Sequence, residues 1–218
     1  MRLAASQESN EAIRWGLLIG VGGAVLLTVL LAATGLEKAM VIGRDNRLST
    51  SKTVAGLWTV VVAGGLVGFV YAQLLGHPQA LDNTNHSGVV GQYALLFGGP
   101  LGAAIAAKGI VSRQVTNDPS AKSPAPRPKL QDLVADDAGN TDLGDFQYVL
   151  FNAVALFFVI GNLLVHSSGG LPRIPDVLLG LTSVSAVGFV SKKALVPPAG
   201  PTRKVLPAEA AKPSPPAA

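Results

Sequence analysis

Gln92, Asn152, Asn162, Thr182, Ser183 and Ser185 are neutral hydrogen-bonding side chains set inside long apolar runs. In hydrocarbon such groups have two uses. They can bond to a neighbouring helix, or they can line a polar path. These six are therefore the residues expected to face the interior of a helical bundle. The acids behave differently: all thirteen, among them Asp45, Asp132, Asp142, Asp145 and Asp176, fall at the ends of the apolar runs or outside them. Ionised side chains at membrane depth mark proton relays and ion-coupled transport. Their absence from the middle of the runs argues against both, and no buried charge is expected.

Other chemistries find little support. His77, His86 and His166 come from two separate segments, without ligand spacing and with only Asp82 as a nearby carboxylate, so no metal site is expected. The acidic stretch 132–145, "DLVADDAGNTDLGD", lacks the alternating oxygen ligands and final glutamate of a calcium loop. The chain has no cysteine, which removes disulfides, thiolate metal ligands and a cysteine nucleophile. No nucleophile elbow, phosphate loop or dinucleotide fingerprint occurs. The glycines of "GVGG" lie within an apolar run, where they cannot form the strand-to-helix turn that cradles phosphate. The expectation is a protein that is not an enzyme and carries no cofactor.

The elements that must position these residues are legible from the solvent they prefer. Apolar residues make up 49% of the 218-residue chain and charged ones 14%, against about 25% charged in ordinary soluble domains. Residues 15–34, "WGLLIGVGGAVLLTVLLAAT", contain no charge. As a helix they reach about 30 Å, the thickness of a hydrocarbon core. Four further runs follow at 53–76, 88–107, 146–165 and 174–190. The first run exceeds the roughly 7–15 apolar residues of a signal peptide and is followed by no small-x-small cleavage site, so it reads as an anchor. None of the runs alternates as barrel strands do. The fold class is an all-α polytopic membrane protein with five transmembrane helices.

Charge sets the expected orientation. The formal net charge is +4, and fourteen of the seventeen Lys and Arg residues lie after the first, third and fifth runs. Only Arg2, Arg14 and Arg173 lie on the opposite side. The positive-inside bias places the amino terminus outside and the carboxyl terminus in the cytoplasm. The basic residues are dispersed among prolines and acids without interleaved aromatics, which does not suit nucleic acid. Residues 1–13 then form an extracytoplasmic terminus, 14–111 three spans, 112–145 a cytoplasmic loop, 146–193 two more spans and 194–218 a tail. "SAKSPAPRPK" and the tail from Pro197 are Pro-rich and read as extended and disordered, respectively. Trp15, beside Arg14, and Trp58, two turns into the second span, suit indoles anchored among headgroups at the two surfaces. Ser49 or Ser51 is placed to cap the second span.

Two stretches align at an offset of 93. "NRLSTSKTVAGLWTV" overlies "GNTDLGDFQYVLFNAV", with Ser49 on Asp142, Trp58 on Phe151 and Thr59 on Asn152. The returning segments "LLFGGPLGAAIAAK" and "LGLTSVSAVGFVSK" also correspond. The organisation reads as one helix followed by two repeated hairpins of equal orientation, the parallel type of membrane repeat. Small residues at spacing four, Gly16 with Gly20, Gly64 with Gly68, Gly98 with Gly102 and Thr182 with Ala186, suit close helix contact within the chain or between copies in a homo-oligomer.

On "LSTSK…LWTVVV", "DLGDFQYVLFN" and "LPRIPDVLLGLTSVSAVGFVSKK", the chain resembles a group of small multi-pass bacterial membrane proteins, of the kind found in actinobacteria, with no assigned activity. The likeness spans most of residues 43–193. It departs at Thr182, where the group commonly has glycine, while Phe189 holds its aromatic position. The resemblance implies this topology and a bacterial inner membrane, and no mechanism. The expected role is an anchor, a scaffold or an assembly subunit, in contact with the bilayer and presenting 112–145 and the tail to a cytoplasmic protein. The alternative is an oligomeric channel or facilitator for a small solute or ion, lined by neutral polar residues.

Overall fold

In lipid the backbone finds no hydrogen-bond partner outside the chain, so a long apolar segment must close its bonds along itself as a helix. A computed structural model describes residues 2–34, 41–43, 46–86, 88–117, 125–135, 140–166 and 169–195. Its elements are α1 (Arg2–Ala33), α2 (Thr50–Leu74), α3 (Gln79–His86), α4 (Val90–Asn117), a short 3-10 helix (Leu130–Val134), α5 (Leu143–Val165) and α6 (Asp176–Leu195). Five of these helices are long and apolar enough to cross a membrane, over Glu11–Leu30, Thr50–Leu74, Val90–Ile110, Leu143–Val165 and Asp176–Leu195. The chain is thus all-helical and multi-pass in character. No strand occurs among the described residues, only two isolated bridges.

The boundaries differ from expectation at three places. α1 begins at Arg2, so the expected outer terminus 1–13 is mostly helix continuous with the first span. α4 runs on to Asn117, through Pro100 and into the expected loop. The segment between α2 and α4 contains the additional helix α3. Ser49 is the N-cap residue of α2, but its side chain makes no capping bond. The tail 196–218 and residues 118–124 and 136–139 lie outside the described residues.

α2 packs against α1, α4 and α5, while α6 packs against α4 and α5. Four helices therefore close a ring in the order α2, α4, α6, α5, with α1 lying against α2. The core between them holds Trp58, Phe69, Leu96, Tyr148, Leu156, Val159, Leu163 and Phe189. Residues turned away from it are large and apolar, including Val67, Ile105, Phe157 and Val184. That inversion of soluble practice is what a lipid-facing surface requires.

Glycine sets the closeness of α1 and α2. A Cβ on Gly16 would stand 2.5 Å from the Gly68 carbonyl oxygen, and one on Gly68 would stand 2.7 Å from the Gly16 oxygen and Leu17 Cα. A Cβ on Gly20 would collide with the Gly64 carbonyl, and one on Gly64 would stand 2.9 Å from Val21 Cα. All of these neighbours are backbone, which cannot swing aside. The packing expected of Gly98 and Gly102 does not occur within the chain: a Cβ on either meets nothing within 4 Å. The buried stripe of α4 is Leu96, Pro100, Ala103 and Ala107, and positions two residues away fall on the opposite face of a 3.6-residue helix.

Short hairpins lead into α2 and α5. Ile42 bridges Leu48, and Ala135 bridges Thr141. The Ser49 amide donates to the Val41 carbonyl and the Asp142 amide to the Val134 carbonyl, each at 2.8 Å. Asn46, at φ 57°, takes the left-handed turn of the first hairpin, a conformation asparagine tolerates. At the other end of the bundle Gly170, at φ +76°, approaches α3 so closely that a Cβ would stand 2.5 Å from Thr84 Oγ1 and would also meet the Ala80 carbonyl. The Leu171 amide donates to Thr84 Oγ1 at 2.9 Å.

Gly20→Val or Gly68→Val is expected to lower stability by about 1–3 kcal/mol through overpacking. Gly98→Ala and Gly102→Ala should stay within about 0.5 kcal/mol of the parent. Unfolding of the detergent-solubilised variants, followed by circular dichroism, measures both. Equal effects at the two pairs would contradict the assignment of faces.

Candidate functional site

Asp142, Asp145, Tyr148 and Asn152 follow one another at steps of three, three and four. They therefore share one face of α5. This face meets α2 and α6, and it carries buried Asp145, Tyr148 and Asn152.

The column begins with a cap at the start of α5. Asp142 Oδ1 accepts the Asp145 amide at 3.0 Å, closing one of the free donors at the start of α5. Lys192, in the last turn of α6, places its Nζ 2.6 Å from Asp142 Oδ1 and 3.4 Å from Asp145 Oδ1. The carboxylates sit at a helix N-terminus and the ammonium at a helix C-terminus, so both helix dipoles favour the arrangement. Asp145 is 1% exposed. The expectation of no buried charge is thus corrected: one carboxylate is enclosed, tolerated because a lysine from the antiparallel neighbour reaches it. Burial alone would raise the Asp142 carboxyl. The hydrogen bond from Lys192, the Asp145 and Gly144 amides and the lysine charge outweigh it and hold the group below the ordinary aspartate value.

One turn further in, the Tyr148 ring stacks on Phe189 with centroids 4.9 Å apart and planes 19° from parallel. Lys193 Nζ stands 5.9 Å from the Phe189 ring centre on the same helix, within the range of a cation–π contact. Asn152 then completes the column. Its Nδ2 donates to the Tyr148 carbonyl at 2.8 Å, and its Oδ1 accepts the Trp58 indole N–H at 3.0 Å. Trp58 is fully buried, which corrects its expected place among the headgroups. An indole needs one acceptor, and Asn152 supplies it inside the bundle, so the ring has no reason to reach the surface. Two buried hydroxyls, Tyr148 OH and Thr53 Oγ1, have no hydrogen-bond partner among the described residues.

The six residues expected to line an interior do not assemble. Asn152 is buried and crosses to α2. Thr182 is buried but returns its hydroxyl to the Leu178 and Leu179 carbonyls of its own helix. Asn162 bonds to Phe158 and Ser185 to Thr182, again within one helix. Ser183 is exposed. Gln92 works at the opposite end of the bundle from Asp142 instead, where its amide grips both backbone groups of Ile174, accepting from N at 3.0 Å and donating to O at 3.2 Å. Tyr93 beside it donates to the Pro172 carbonyl at 3.1 Å. Trp15 is 59% exposed on α1, the side chain of His86 lies outside the described residues, and no three His, Cys, Asp or Glu side chains gather among those described.

No protein-family model matches this chain, and no curated protein and no solved structure is significantly similar to it. What the column can do rests on its geometry alone. It neutralises charge at the edge of the bilayer, and it fastens α5 to α6 at one level and to α2 at the next.

Trp58→Phe and Asn152→Leu, singly and together, are expected to show a coupling of about 0.6–1.7 kcal/mol, the range of hydrogen bonds between membrane helices. Purely additive losses in unfolding free energy would contradict the bond. A second expectation concerns pH. Because Asp142 is held below its unfolded value of about 4, its contribution is complete above that value and disappears as pH falls through the lower folded value. Asp142→Asn keeps the cap but loses the charge, so the acid-limb decline assigned to this group should vanish in the variant. An unchanged decline between pH 5 and pH 2 would refute it.

Proposed function

We propose that the protein is a non-enzymatic anchor or scaffold, or a subunit of a membrane assembly, in a bacterial cell membrane. Its amino terminus lies outside and its carboxyl tail inside. The orientation rests on the fourteen-to-three division of basic residues. The bacterial assignment rests on the resemblance of residues 43–193 to bacterial multi-pass proteins.

One observation carries the scaffold reading. The two lead-in hairpins are tied together rather than left as independent loops. Asn46 Nδ2 donates to the Ala125 carbonyl at 2.9 Å, the Leu48 amide to Asp132 Oδ2 at 3.3 Å, and Thr50 Oγ1 to the Leu133 carbonyl at 3.0 Å. Bonds between residues about eighty apart in sequence fix backbone that a simple connector would leave free. A rigid inner layer is what a protein that positions a partner requires. An internal duplication fits the same layer: Ile42 and Ala135 are 93 residues apart, as are Leu48 and Thr141, matching the offset of the sequence alignment. Within the four-helix ring, exchanging α2 with α5 and α4 with α6 also preserves the pattern of packed pairs.

The facilitator reading draws on exposed Ser183 and on the duplication. It has weaker support, because Asn152, Asn162, Thr182 and Ser185 direct their hydrogen bonds into the protein. Affinity capture of the full chain in mild detergent is expected to recover a cytoplasmic partner that is lost when 197–218 and 118–124 are deleted. Proteoliposomes should show no flux of common ions or small solutes. Capture of the chain alone together with measurable flux would reverse the assignment.

A further inference from the structure

We propose that the segment Pro126–Gln131 is a membrane-surface element, with Leu130 inserted at the headgroup boundary and Arg127 and Lys129 on the phosphates of anionic phospholipids. The proposal does not depend on the scaffold role.

The 3-10 helix packs against the start of α5 and against α2, and the Leu133 carbonyl takes the Thr50 hydroxyl at 3.0 Å. Thr50 and Leu143 are the first residues of two candidate spans. The segment therefore lies in the plane where hydrocarbon gives way to headgroups, not in the aqueous space beyond it.

Asp132, Leu133, Val134 and Ala135 turn partly inward, whereas Pro126 to Gln131 are exposed. Leu130 is 79% exposed, although half-buried Leu133 three residues later shows that the helices have room for a leucine. At the same end Leu143 is 68% and Leu195 80% exposed, which extends the apolar rim to α5 and α6. Such exposure in water would be unfavourable; at a lipid boundary it is insertion.

Asp132, the acid of this turn, spends Oδ2 on the Lys129 amide at 2.8 Å and the Leu48 amide at 3.3 Å. Asp142 and Asp145 are engaged by Lys192. The acids described at this end thus face the protein, while Arg127 and Lys129 face out. Pro126 and Pro128 restrict the backbone on either side of Arg127, so little order has to be acquired on contact. A cation at an anionic leaflet contributes on the order of fivefold in association. An anionic lipid surface is complementary to two cations flanking a leucine.

The chain has no cysteine, so one nitroxide at Leu130→Cys reports position without further substitution. In nanodiscs containing phosphatidylglycerol the label should favour oxygen over a water-soluble nickel chelate. Its depth should fall between a water-side label at Thr116 and a lipid-facing one at Val154. Arg127→Gln with Lys129→Gln, or nanodiscs of phosphatidylcholine alone, should move it toward the Thr116 value. Nickel access equal to that at Thr116 would overturn the proposal, and exclusion of both reagents would replace it with a contact to a second copy. A second measurement avoids the leucine altogether. The preference of the native chain for spin-labelled phosphatidylglycerol over phosphatidylcholine should drop on the order of tenfold in the Gln double variant; no change would equally defeat it.

Discussion

Hydrocarbon supplies neither a hydrogen-bond partner nor a hydrophobic reason for helices to meet. Each contact in this bundle answers to that double absence. Where α1 meets α2, the answer is proximity. At Gly16, Gly20, Gly64 and Gly68 a Cβ would run into backbone atoms of the facing helix, so glycine alone permits this approach. Where α5 meets α2 and α6, the answer is polarity. An indole finds an amide, and a lysine finds two carboxylates.

The two devices divide the labour along the membrane normal. The Trp58–Asn152 bond holds within the apolar layer, where water does not compete. The Asp142–Lys192–Asp145 cluster holds at its edge, where Asp145 is enclosed while Asp142 and Lys192 remain partly wet. Outside the bundle's far end, Gln92, Tyr93 and Thr84 fasten the loop before α6 through its backbone groups. Loops at both ends are thereby bound to helices, which leaves the lateral surface to lipid.

What the sequence discloses follows from which physical quantity it encodes. Span length and apolarity are additive along the chain, so all five crossings are legible as uninterrupted runs. Facing is not additive. Gly16–Gly20 and Gly98–Gly102 share one spacing, yet the first pair is pressed against α2 and the second meets nothing. Only the register of Leu96, Pro100, Ala103 and Ala107 distinguishes them. Trp58 was ambiguous for a chemical reason: an indole suits a headgroup layer or a buried acceptor equally well, and Asn152 lies 94 residues away. Lys192 reads naturally as a topology signal, and its second role depends on a carboxylate 47 residues earlier. A legible hint existed in the acid pair Asp142 and Asp145, spaced to flank one turn at a helix start.

Because the chain contains two tryptophans, the inward turn of Trp58 and its pairing with Asn152 can be read from two indole N–H signals. In nitrogen-15 spectra of the protein in nanodiscs, one indole should resist both deuterium exchange and relaxation by a headgroup-borne paramagnet, and it should shift when Asn152 is replaced. The other, from Trp15, should relax strongly. Two signals equally relaxed at the headgroup level, and indifferent to Asn152, would mean that Trp58 lies at the surface and that the bundle is not held together as described.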